Sequence, residues 1–297
     1  MTRTPSPTDR TVQMLLDSAA TSTFDINADI DWGAGPVPEM MYLSEHRCAL
    51  YGTEIWAMMT PEQRIEFSRH QMASMHAIEI WVETLLNTFL MRQVLNSDVA
   101  TPLAWHLYTE IADECRHSTM FGRIIAAAGA PTYGPPAWAF HLTQAAAALA
   151  PPFIVVGMTL AMFFEEYGDA LQRELAADEN VQPLVRRVSH IHVVEESRHL
   201  TFARAELAER IPHSPIEKAI VAAIYGPVAF LVTRFMVPPT VYENVGLDAR
   251  LASRAAKTNK YWRESQRWFS ERAMHTFAEL GIRNRFGDAI CRFAGVL

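Results

Sequence analysis

The sequence predicts an all-α protein, a bundle of four long helices with additional helices flanking it. Strand-like alternation of apolar and polar residues is nearly absent from the 297 residues. Prolines stand where helices begin, at Pro61, Pro183 and Pro215, which places them in first turns that have no use for their missing N–H. One short pattern also occurs twice: Asp113-Glu114-Cys115-Arg116-His117 and, 82 residues on, Glu195-Glu196-Ser197-Arg198-His199, each within a helical run. At 49% hydrophobic residues the chain can bury one large core. Residues 36–297 are therefore expected to form a single domain. Residues 1–35, dominated by Pro, Ser, Thr and Asp, are expected to form an arm or tail on its surface.

Taken in order, Pro38 to Met58 reads as a helix. Thr60-Pro61-Glu62 then supplies a cap, a first-turn proline and an early acid for a long helix reaching about Leu95. A turn near Asn96-Ser97-Asp98 leads to the helix of the first repeat, which stops at Gly129-Ala130-Pro131. A loop holding Gly134, Pro135 and Pro136 precedes a short helix, and Pro151-Pro152 opens the next long one, which turns around Ala177-Asp178-Glu179-Asn180. From Pro183 a helix runs past His199 to Ile211-Pro212. Ser214-Pro215 starts another, which Pro238-Pro239 breaks before the charged stretch from Arg250 to Ala278. In this last third Trp262, Trp268, His275 and Arg285 belong to no motif and are expected at the surface or an interface. The apolar runs Pro151 to Phe164 and Ala219 to Val232 fall short of the roughly 18 residues of a membrane span, so they are expected to be buried core helices.

The chemistry lies in the repeats. Residues three apart project from nearly the same side of a helix, so Glu114 with His117, and Glu196 with His199, can each chelate a metal ion. His192 lies four before Glu196 and, at about 100° per residue, within roughly 60° of both partners. The equivalent position in the first repeat is Glu110. One such pair alone is usually a solvated ion pair, but two copies can hold two metals between facing helices if each of two other helices adds a carboxylate. Glu79, in the apolar stretch Met75 to Trp81, and Glu165, after a run without charges from Pro151 to Phe164, are the candidates. Burying an unpaired carboxylate is costly, and a bound cation would offset that cost. Glu165 continues the stripe Ile154, Met158, Ala161, Met162, but periodicity alone leaves Glu83 open beside Glu79 and Glu166 open beside Glu165.

The pattern H-x-x-x-E-x-x-H, preceded by these three elements, resembles the di-iron N-oxygenases related to p-aminobenzoate N-oxygenase, over roughly residues 60 to 200. The resemblance implies a ferritin-like four-helix bundle and the metal ligands Glu79, Glu114, His117, Glu165, His192, Glu196 and His199, favouring Glu79 over Glu83 and Glu165 over Glu166. It places Glu195 beside His117 and Asp113 beside His199 as outer partners, with Glu110 nearby. Arg116 and Arg198 are expected to form ion pairs with those acids. Two iron ions are implied as cofactors, manganese being an acceptable substitute for oxygen and imidazole donors. The implied activity is O₂-dependent oxidation of an amine nitrogen toward hydroxylamine, nitroso or nitro products, with electrons from an external donor. The alternative is a di-iron hydroxylase or desaturase acting on carbon of an apolar substrate. One departure concerns the substrate: Gln71, Ser74 and Met75 precede Glu79, with no arginine there to meet a benzoate carboxylate.

Other classes fit less well. Phe121 stands one turn after His117, where a radical-generating protein would need a tyrosine. Net charge is −7 without a basic block, so no nucleic-acid partner is expected. Three cysteines, Cys48, Cys115 and Cys291, lack metal-ligand spacing and argue against a disulfide framework, and Cys115 is expected to serve packing. The N-terminus shows no export signal. A cytoplasmic homodimer is expected, with a small-molecule substrate and O₂ as partners and no membrane.

Overall fold

A computed structural model describes residues 7–149 and 153–297. Its helices in chain order are α1 (Pro7–Thr21), α2 (Glu54–Met58), α3 (Pro61–Leu95), α4 (Pro102–Ala127), α5 (Ala137–Leu149), α6 (Ile154–Ala177), α7 (Pro183–Arg210), α8 (Pro215–Phe235), α9 (Pro239–Asn244), α10 (Ala249–Thr258), α11 (Lys260–Glu279) and α12 (Arg285–Ala294). Among the described residues there is no strand, only an isolated bridge between Met41 and Val181.

The bundle consists of two antiparallel hairpins, α3 with α4 and α6 with α7, packed so that α3 meets α6 and α4 meets α7. Local chemistry sets their starts. Thr60 accepts from the Gln63 N–H while the Gln63 side chain accepts from the Thr60 N–H, a reciprocal cap in front of Pro61. Thr101 caps α4 ahead of Pro102. The start of α6 is capped from another helix: Glu217 on α8 accepts from the N–H groups of Val155 (2.7 Å) and Val156 (3.2 Å), placing a negative charge at the positive end of α6. The expected opening at Pro151-Pro152 lies outside the described residues.

Three expectations change. Pro38 to Met58 is not a helix; it holds turns, one 3₁₀ turn at Glu45–Arg47 and only the short α2. The Gln182 side chain captures the carbonyls of Val37 and Met40 and the N–H of Val37, which holds the chain extended against the α6–α7 loop. Glu39, with φ 70°, and Gly52, with φ 72°, turn it where a helix cannot continue. Within the N-terminal segment α1 is a helix whose Val12 and Leu15 are buried, and it packs on α4 and α7. Trp262 is buried rather than at the surface, edge-on to Phe269, whereas Trp268 is exposed as expected, with the Arg47 guanidinium 3.9 Å above its ring. His275 and Arg285 are exposed.

Around the bundle, α11 packs on α6, where Tyr167 donates a hydrogen bond to Gln266 and its ring meets Phe269 at 5.0 Å. Helices α8 and α12 cross closely because Gly226 and Gly287 lack side chains: a Cβ on Gly226 would stand 2.8 Å from the Gly287 carbonyl oxygen. Contrary to the shorter apolar run expected, the segment Pro215–Asn244 is long and apolar enough by length and composition to cross a membrane. In this structure it supplies buried Val221, Tyr225, Ala229 and Val232 to the core and carries Pro227 within it.

Candidate metal centre

The middle of the bundle is ionic. Glu83 from α3, Glu114 and His117 from α4, Glu165 from α6 and His192, Glu196 and His199 from α7 are all buried. Their donor atoms converge in three overlapping groups, each within 4.8 Å: Glu114, His117, Glu196 and His199; Glu83, His117 and His192; Glu165, His192 and Glu196. Glu114 spans both repeats, with one oxygen 2.8 Å from His199 Nδ1 and the other 3.4 Å from His117 Nδ1. His192 Nε2 stands 3.9 Å from both Glu83 and Glu196.

The outer ring nitrogens face acids of the opposite repeat. His117 Nε2 is 3.0 Å from Glu195 Oε2, and His199 Nε2 is 3.3 Å from Asp113 Oδ2. Such contacts fix each ring so that Nδ1 turns inward. Arg116 bridges Asp113 and Glu195, and Arg198 bonds Asp113 at 3.1 Å and the Ser22 carbonyl, tying the end of α1 to this layer. Glu110 is buried one turn before Glu114 and pairs with His106 at 3.2 Å.

The donor atoms of six of the seven expected ligands fall in these groups, while Glu79 lies outside them but lines the same small cavity as Glu83, Glu165 and His192. Glu79 bonds His76 and accepts from Gln172 at 3.2 Å, lying over Gly168 of α6. Glu83, one turn on, groups with His117 and His192 and accepts a hydrogen bond from Ser118. Glu166, the neighbour of Glu165, is instead paired with Arg204. Cys115 is exposed and has no packing role in this layer.

Electrostatics argue for a cation at the centre. Burial, with the charge of Glu114 beside it, pushes Glu83 well above the usual carboxylate range, and burial with Glu196 does the same to Glu165. Burial also raises Glu196. Burial and the neighbouring His117 hold His192 well below the usual imidazole value. For His117 burial works against the charged form, but hydrogen bonds to Glu114 and Glu195 outweigh it and push the ring up to about 10. Glu165 Oε1, Glu196 Oε1 and both ring nitrogens of His192 are buried without a hydrogen-bond partner. Orphaned lone pairs of this kind are expensive unless something coordinates them. Carboxylate and imidazole donors in this number suit iron or manganese, so the residues present fit a metal centre.

Two small cavities flank the cluster. One of about 20 Å³ is lined by Glu79, Glu83, Glu165 and His192 together with Ile78, Val82 and Phe164. Another of about 20 Å³ touches Glu110, Glu114, Glu165, Glu196 and His199.

The family model described as p-aminobenzoate N-oxygenase AurF matches residues 6–281. The chain is 25% identical over 241 residues to the uncharacterized protein Rv0885 of Mycobacterium tuberculosis H37Rv, covering 77% of this chain and 69% of the relative. The uncharacterized protein Mb0909 of Mycobacterium bovis matches over the same length at the same identity and coverage.

Proposed function

Because the chain belongs to the p-aminobenzoate N-oxygenase AurF family, we propose that it is a di-iron, O₂-dependent oxygenase that oxidises an amine nitrogen. The observation that carries this reading is the buried convergence of four carboxylates and three imidazoles, with Glu83 as the ligand from α3. Glu83, Glu114, His117, Glu165, His192, Glu196 and His199 would hold the two irons. When bound, the two irons supply the redox chemistry that activates O₂.

The chain's own residues do the rest. Four carboxylates balance two divalent cations, so the loaded centre is close to neutral in an apolar core. Glu195 and Asp113 hold the outer N–H of His117 and His199 and keep their inward nitrogens free to ligate. The Arg116 and Arg198 pairs fix those acids in turn. Ile78, Val82 and Phe164 form an apolar wall on the side of the centre lined by Glu79, Glu83, Glu165 and His192. The first oxidation balances as RNH₂ + O₂ + 2e⁻ + 2H⁺ → RNHOH + H₂O, the electrons coming from an external donor. A second reading, oxidation of carbon in an apolar substrate, draws on the apolar surroundings of the same centre.

The test is iron loading, anaerobic reduction and exposure to ¹⁸O₂ with a panel of arylamines, followed by mass spectrometry. N-oxidised products carrying ¹⁸O support the proposal. Two bound irons with oxygen delivered only to carbon favour the second reading, and absence of iron removes both.

A further inference from the structure

A separate apolar cavity of about 330 Å³ lies between α3, α5, α6 and α8, within the roughly 300–1,000 Å³ usual for small-molecule sites. Its wall includes Leu85, Phe89, Leu142, Phe153, Leu160 and Leu231. Ile78, Val82 and Phe164 line both this cavity and the small one against Glu79, Glu83, Glu165 and His192, so the apolar space adjoins the metal centre across these three side chains. At the other end Trp138 and Leu142 line the cavity while 55% and 62% exposed, which puts its mouth along α5.

Shape and chemistry restrict the occupant. The lining runs along α3 from Ile78 to Arg92, about 21 Å at 1.5 Å per residue, so the space is elongated. Its polar side chains face other tasks: Arg92 donates to the Ala147 carbonyl at 2.7 Å, and Thr143 bonds the carbonyls of Ala139 and Phe140. Arg92 also stands nine residues beyond Glu83, about 13.5 Å along the helix, and its guanidinium is engaged by the Ala147 carbonyl. Trp81, which lines the cavity, has its Nε1 buried without a partner, a lone donor in an apolar wall.

We infer that this cavity is the substrate chamber and that it takes a lipophilic amine, an amino group on an extended alkyl or alkyl-aryl tail, in preference to an aminobenzoate. The inference rests on the amine-oxidising reading above but concerns binding, which is measured apart from turnover. The tail lies between α3, α5, α6 and α8, and the amino end meets the partition at Phe164.

The experiment is calorimetric titration of the purified chain with 4-ethyl-, 4-butyl- and 4-hexylaniline and with 4-aminobenzoate. Each added methylene is expected to tighten binding about four-fold, the equivalent of about 0.8 kcal/mol of apolar burial, and 4-aminobenzoate to bind more weakly than the hexyl compound. Ala146→Trp, at an exposed position on the wall, and Leu142→Asp, at the mouth, are each expected to abolish the gain from butyl to hexyl, with folding checked by circular dichroism. A flat series, or parent-like hexyl binding in both folded variants, overturns the chamber. Length-dependent binding with oxygen found only on carbon keeps the chamber and removes nitrogen oxidation. Turnover of 4-aminobenzoate without length-dependent binding does the reverse.

Discussion

Glu79 and Glu83 stand one turn apart on α3, and the difference between them is a test of the site at the scale of single residues. Glu83 is buried beside His117 and His192, whereas Glu79 is satisfied by His76 and Gln172. Glu83→Ala is therefore expected to lower bound iron from two equivalents toward one, while Glu79→Ala keeps two, as read by metal analysis after anaerobic loading. Equal stoichiometry in the two variants, or loss only in Glu79→Ala, would show that the wrong carboxylate had been assigned. Much of this layer was legible in sequence because an E-x-x-H pair on a helix has only one geometry, and Glu114, His117, Glu196 and His199 follow from it directly. The α3 ligand did not follow, because Glu79 and Glu83 share one helix face and only packing against α6 and α7 separates them. Gly168 lets Glu79 settle toward α6, a contact that helical periodicity does not encode.

Among elements, the long helices were readable from their own punctuation: Thr60-Pro61, Pro183 and Ser214-Pro215 all mark observed starts. Residues 38–58 were not, since their apolar content suits a helix while Gln182, far away in sequence, bonds Val37 and the Met40 carbonyl and the backbone turns at Glu39 and Gly52. The start of α6 also depends on a distant residue. Glu217→Ala should leave the Val155 and Val156 N–H groups without their acceptor and lower stability by about 1 kcal/mol, as typical for loss of a cap. Urea denaturation checks this, and an unchanged midpoint would mean that the cap contributes nothing. A second tie joins α8 to α12. Hydrogen bonds from Arg283, at 2.9 and 3.0 Å, and from Tyr225 hold Asp288 below its ordinary value. A depressed carboxylate stabilises the fold above its unfolded value, near 3.8, and that contribution is lost as pH falls through the folded value. Asp288→Asn should therefore lower Tm at neutral pH and make the remaining acid dependence shallower; an identical acid limb in both proteins would contradict the assignment.

At the scale of the whole molecule, two hairpins surround an ionic layer in an otherwise apolar core, and the outer helices serve that arrangement. Helix α1 reaches the layer through Ser22 and Arg198, α11 braces α6 through Tyr167, and α5 with α8 encloses the apolar cavity beside the centre. The C-terminal third carries no motif because its work is packing, which any well-fitted apolar residue can do; buried Trp262, Phe269 and Phe277 show this. The ionic layer is what the family relationship and the geometry explain together. Its most direct test is an anaerobic titration of the purified, metal-free chain with ferrous ion, followed by Mössbauer spectroscopy of the oxidised product. A di-iron centre held by these residues saturates at two equivalents per chain and gives a single spin-coupled iron pair. Saturation at one equivalent, or two uncoupled irons, would contradict it.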